Sequence, residues 1–233
     1  MIAFRDMATT QRGSSIAPVL NLPPSAEVSD LLLAIAGSET THALGLNPNW
    51  VQVGATQAVP GPDSACSILR RFKDGSEGSQ FTLNFSVAEN MGAVVVAYSD
   101  VDPSEPIHQI AQGVAPAGDS VSTPTITTTV PNCMILGIVE CDPSGGAAIS
   151  ASPDTSPGAT ERADFTAIRS TFSDAWIYVQ EFLQTSPGPV SLDLTGITPS
   201  GVEIEGFSVF TIALTPVSVP SGGDPLSVSV AGW

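Results

Sequence analysis

The sequence predicts an all-β protein: an antiparallel β-sandwich, jelly-roll-like, with an extended arm at the C-terminus. Three observations lead there. Roughly a dozen short runs rich in Val, Ile, Phe and Thr recur along the chain, as strands that bury at least one face require. Pro- and Gly-based turns separate them, the punctuation of a sandwich. No window of about eleven residues carries a clean apolar stripe at helical spacing.

The runs fall in order at Ile2–Met7, Ile16–Leu22, Asp30–Ile35, Trp50–Gln57, Ser67–Lys73 and Gln80–Phe85. They continue at Gly92–Tyr98, Ser120–Val130, Met134–Glu140, Trp176–Phe182, Val190–Leu194 and Glu203–Leu214. Gln80–Phe85 alternates polar and apolar residues, the pattern of a strand with one wet face. Ala93–Tyr98 and Met134–Val139 are continuously apolar, which suits central strands covered on both faces. Asp74-Gly75 lies between Ser67–Lys73 and Gln80–Phe85 and predicts a hairpin joining them. Short helices find room only around Glu39–Leu44 and Ile107. Pro216–Asp224 is rich in Pro, Ser and Gly, and a detached alternating segment, Leu226–Val230, follows it before Trp233. The expected division is therefore a sandwich over residues 1–216 and an arm over 217–233. A lone strand on such a joint cannot bury its apolar side by itself.

Only 13% of the 233 residues are charged, while 42% are hydrophobic. Seven basic residues stand against 23 acidic ones, a net charge of −16. Binding to nucleic acid draws on Lys and Arg to neutralise phosphates, so nucleic acid is not an expected partner; an anionic membrane surface is disfavoured for the same reason. No apolar run approaches the length of a membrane-spanning helix. Met1-Ile2-Ala3-Phe4-Arg5 lacks the pattern of a secretory signal, so synthesis in a cytoplasm is expected. Cys66, Cys133 and Cys141 are expected to be free, buried thiols. Cys133 and Cys141 at the two ends of one strand would lie about 26 Å apart, at about 3.3 Å per residue, too far for a disulfide.

Several segments, taken in order, carry a resemblance. They are Ile2-Ala3-Phe4-Arg5; Ser15-Ile16 leading to Leu22-Pro23; Val28–Ala34; the turn Asn47-Pro48-Asn49-Trp50; Ala97–Asp102; Thr123–Thr129; Met134–Val139; Thr160-Glu161-Arg162; and Ile212–Pro216. The ordered set, over residues 2–216, resembles an all-β structural module of tailed-phage virions, met in head decoration proteins, tail proteins and fibres. Members often carry glycine where this chain has Ser29, and an Ala-Tyr-Ser-Gly-Val segment where it has Asp100. The resemblance implies a non-enzymatic virion part that is synthesised in the host cytoplasm and ends in the particle. It also implies a homotrimer, because cement sites on icosahedral shells commonly lie at threefold positions.

Chemistry-bearing residues are sparse. His42 and His108 have no ligand partner at metal spacing and read as solvent-facing loop histidines. Glu140 and Asp142 share one face of a strand end, the minimum for a two-carboxylate glycosidase, but few aromatic residues are available to line a sugar cleft. Asp100, Asp102 and Glu105 form an acidic loop that could offer oxygen ligands to calcium; solvated turn carboxylates are the plainer reading. Trp50 and Trp176 read as core plugs, and Arg70, Arg71 and Lys73 as a basic strip on one strand. No catalytic, cofactor or metal residue is assigned. The expected function is a capsid decoration, or cement, protein that contacts copies of itself and the major capsid protein. Its interface would be the arm residues Leu226, Val228, Val230 and Trp233. The alternative is a tail or fibre adhesin binding a host-surface glycan, which predicts exposed aromatic residues in one loop cluster.

Overall fold

A computed structural model describes residues 1–39, 42–45, 48–60, 64–86, 88–143, 148–169, 172–198 and 204–218. The arm residues Leu226, Val228, Val230 and Trp233 lie outside the described residues.

The first main sheet contains β1 (Ala3–Ser15), β3 (Leu31–Ser38), β4 (Val51–Gln52), β5 (Gln57–Ala58), β6 (Ala65–Phe72) and β8 (Glu89–Ser99), ordered β1-β8-β3-β6-β4, with β5 also on β6. The second contains β9 (Ile107–Pro116), β12 (Cys133–Cys141), β14 (Thr160–Arg169), β15 (Phe172–Gln184) and β18 (Gly206–Leu214), ordered β14-β15-β12-β18-β9. Every pairing in both sheets is antiparallel. The two sheets pack face to face, and the all-β sandwich is as the sequence predicts.

Alternation decides which residues meet. Leu31, Leu33 and Ile35 of β3, with Val94, Val96 and Tyr98 of β8, point inward. They meet Leu136 and Ile138 of β12, Ile177 and Val179 of β15, and Phe210 and Ile212 of β18. The outward residues of the same strands are buried too. Leu32, Ala34, Val95 and Ala97 lie under a small sheet of β2 (Val19–Asn21) and β7 (Gln80–Thr82). On the other side Val139, Trp176, Tyr178 and Phe207 lie under β10 (Ser120–Ser122), β13 (Ser150–Ser152) and β17 (Asp193–Thr198). Beside them, Ile135 and Ala213 lie near β11 (Ile126–Thr128) and β16 (Gly188–Val190). This double cover is why Ala93–Tyr98 and Met134–Val139 read as continuous apolar runs.

The sheets divide the chain in two: residues 3–99 build the first and 107–214 the second. A jelly roll instead sends successive strands to alternate sheets. Both halves share a plan, with the first long strand beside the last, the last beside the second, and the second beside the long strand that precedes the last, β6 in the first half and β15 in the second, where β14 is an added edge strand. Thus β1-β8-β3-β6 corresponds to β9-β18-β12-β15. Registers agree, since Leu31 faces Tyr98 and Phe72 as Met134 faces Leu214 and Leu183. The cover strands β2·β7 and β11·β16 take the same places in their halves. Two residues before Leu31 and Met134 stand Ser29 (φ 78°) and Asn132 (φ 61°), both left-handed.

Several local expectations are corrected. Ser67–Lys73 and Gln80–Phe85 form no hairpin: β6 pairs with β3, β4 and β5, and β7 pairs with β2. Asp74-Gly75 instead folds into a loop tied by the Glu77 carboxylate, which accepts from the Asp74 and Gly75 N–H groups. The Ile107 region is strand β9, and the described residues of Glu39–Leu44 are non-helical. Trp50–Gln57, Ser120–Val130 and Val190–Leu194 each break into shorter pieces, as their Pro and Gly neighbours favour.

Candidate functional site

Glu140 is where the structure concentrates its unusual chemistry. The period-two alternation of β12 that aims Leu136 and Ile138 inward aims Glu140 inward as well, and its carboxyl is completely buried between the sheets. Ser64 Oγ donates to Oε2 at 3.3 Å, Ser208, whose hydroxyl donates to the Gln57 carbonyl at 3.4 Å, lies close by, and Oε1 has no hydrogen-bond partner. Burial pushes its pKa up to about 8, against the Ser208 and Ser64 hydroxyls, which favour the anion; the charge of Asp142 adds to the rise. Room for the side chain comes from Gly37 on the facing sheet, where a Cβ would lie 2.7 Å from Glu140 Cγ. Cys66 and Cys141 are buried as well, and burial together with the Glu140 charge raises both thiols well above their usual value. Asp142, two residues on, is only half-buried. Glu140 and Asp142 thus share a strand face without flanking a common cleft: one is sealed in the slab, the other is at its margin.

The acidic loop after β8 serves the chain ends. Asp100 is left-handed (φ 59°), and its carboxylate meets the amino group of Met1 at 3.5 Å. Asp102 Oδ1 accepts from the Ser104 N–H at 2.8 Å, an Asx-turn bond. Glu105 and Arg70 both line a groove of about 280 Å³. Among the described residues no group of three or more His, Cys, Asp or Glu side chains is placed to hold a metal ion.

His42 corrects the expectation of a solvent-facing histidine. It is buried, with Ser38 Oγ 2.6 Å from Nδ1 and Ser67 Oγ 2.9 Å from Nε2, and it meets the Phe85 ring edge-on at 4.5 Å. Ser67 also meets Thr56 Oγ1 at 2.7 Å. Each ring nitrogen has a hydroxyl, so the imidazole is satisfied inside the fold. His108 Nε2 accepts from the Thr129 N–H at 3.0 Å at the surface. Trp50 and Trp176 are core residues: Trp50 stacks on Phe81 at 4.2 Å, and Trp176 Nε1 donates to Asp164 at 2.7 Å. The basic strip is dispersed. Arg71 is held by Asp74 (3.1 Å) and Glu77 (2.5 Å), Lys73 Nζ donates to the Ala26 carbonyl, and Arg70 reaches the groove with Glu105. Period two puts Arg70 and Arg71 on opposite faces.

Both ends of the described chain emerge at one pole. Val217 N–H donates to the Asp100 carbonyl at 3.0 Å and Asp102 N–H to that of Thr215 at 2.9 Å. Met1, Val130, Pro131, Pro216 and Val217 line an apolar groove of about 590 Å³ there, with Met1 76% and Val217 46% exposed. The signal available in the sequence was Val130-Pro131, apolar residues placed in a turn. Comparison with family models, with curated proteins and with solved structures finds no match to this chain.

Proposed function

We propose that this chain is a structural protein of a tailed-phage virion, and within that class a capsid decoration protein. One observation carries the reading. The two positions where the resembling module carries glycine, Ser29 and Asp100, both have left-handed backbone here, at φ 78° and 59°. L-residues adopt that conformation at a cost and glycine adopts it freely. Left-handed backbone at these two positions fits a module that carries glycine there.

The remaining features fit a part whose task is contact. The body is a doubly covered slab, and both described chain ends lie beside an apolar groove at one pole. In this reading residues 217–233 serve as the arm that meets neighbouring subunits of a trimer and the major capsid protein, and Val217, where the arm starts, lines that groove. A protein of this kind stabilises a shell by binding only its assembled form. Immunogold electron microscopy of intact particles from cells carrying the gene tests the reading. Label distributed over the head is expected. Label confined to the tail would replace decoration with a tail role, and particles without label would overturn both.

A further inference from the structure

The second half carries a further groove, more polar than the one at the chain ends, that the decoration reading does not use. It holds about 720 Å³, inside the range of ligand sites. Two Ser-Pro-Gly segments contribute to its lining, through Ser156 with Pro157 and through Ser186. Half-buried Phe182 and Ser191 and the exposed Asp193 also line it. No Lys, Arg or His lines it.

Its walls are fixed in advance. Asp154 Oδ1 accepts from the Ser156 N–H at 2.8 Å and Oδ2 from the Asp193 N–H at 3.0 Å. The Asp154 N–H donates to Gln180 Oε1 at 2.8 Å, and Gln180 Nε2 donates to the Asp193 carbonyl at 3.3 Å. A ligand entering such a groove need not order its loops. The corresponding place in the first half holds an ion-paired arginine. Phe182 stands opposite Ile135 in β12 as Arg71 stands opposite Leu32 in β3, and there Asp74 and Glu77 seal the guanidinium.

We propose that this groove binds a neutral oligosaccharide. Sugar hydroxyls are donors that the Asp193 carboxylate can accept, and they exchange hydrogen bonds with serine hydroxyls. The apolar C–H face of a sugar ring finds the Phe182 ring and Pro157. Phosphate, sulfate and uronate groups find no cation in the lining, and they meet Asp193 within a protein of net charge −16. The inference is independent of where on a particle the protein sits.

The test applies the purified full-length protein to an array of immobilised neutral and acidic oligosaccharides, followed by titration calorimetry with a neutral sugar that gives signal. Binding to neutral sugars alone is expected. Asp193→Ala is expected to weaken it about tenfold, as loss of a charge-assisted bond does. Ser186→Trp, which fills the groove, is expected to abolish it. Both positions are exposed, and an unchanged melting temperature confirms that the variants are folded. Absence of signal on every neutral sugar, signal on acidic sugars alone, or binding that survives Ser186→Trp would each overturn the proposal.

Discussion

Replacing Glu140 by Gln keeps the shape of the side chain and removes its ability to ionise. In the folded protein the acid titrates at about 8, while in the unfolded chain it titrates at its ordinary 4.5. Below pH 4.5 both states hold the proton and the group does not discriminate between them. Between pH 4.5 and 8 the unfolded chain releases a proton that the folded chain keeps, so stability falls as pH rises. The slope is about 1.4 kcal/mol per pH unit, and the loss over the window is on the order of 5 kcal/mol. Urea unfolding of both proteins at several pH values from 4 to 9 supplies the assay, and the quantity of interest is the difference between the two stabilities. Other titrating groups, such as Asp164, which burial also raises, are present in both proteins and cancel. At pH 7 the Gln variant should gain roughly 3 kcal/mol over its standing at pH 4. Parallel stability curves from pH 5 to 8 would refute the reasoning, because they would mean that the carboxyl is solvated or ionised in the folded state.

Other expectations follow from the same geometry. Ser29→Gly should stabilise the fold by about 0.5–1 kcal/mol by relieving a left-handed L-residue; a raised urea midpoint is the readout and a lowered one counts against it. Gly37→Ala should cost on the order of 2 kcal/mol, because the new methyl meets Glu140 Cγ at 2.7 Å. Adding Glu140→Ala should recover part of that loss, whereas a strictly additive double variant would mean that the two sites do not touch. Deleting residues 217–233 should leave the melting temperature of the sandwich nearly unchanged but reduce oligomer mass in light scattering and occupancy on particles. Unaltered mass and occupancy would remove the arm from the interface.

What the residues disclosed, and what they hid, follows one physical line. Runs with uniform environments were legible. Ala93–Tyr98 and Met134–Val139 are apolar throughout because both faces are covered, and Trp50 and Trp176 sit where large rings are most easily buried. Strand β14, Thr160–Arg169, was missed because its charges are partnered rather than solvated: Glu161 meets Tyr178, Arg162 meets Glu181, and Asp164 meets Trp176. Those pairs erase the simple polar-out signature. His42 was misread because its partners Ser38 and Ser67 lie on two neighbouring strands, and nothing in linear order joins them. The inward turn of Glu140 was concealed because strand parity states that Glu140 and Asp142 share a face without stating which face. The repeated strand plan left only a faint trace in the letters: Leu31, Leu33 and Ile35 correspond to Met134, Leu136 and Ile138, and although two of these three pairs are identical, matches this short do not stand out from other apolar runs.

Two like-folded leaves joined by the short connector 100–106 meet at an effective concentration in the millimolar range, so their union is insensitive to dilution. Separate leaves would each show water a whole oily side and would combine only by mass action. Covalent linkage also releases them from sameness. In a dimer of identical chains every substitution is made twice, once on each side of the axis. On a single chain one leaf can carry the ion-paired Arg71 while the other carries Phe182 at the matching place, and that freedom to specialise is what a tandem arrangement offers over a symmetric pair.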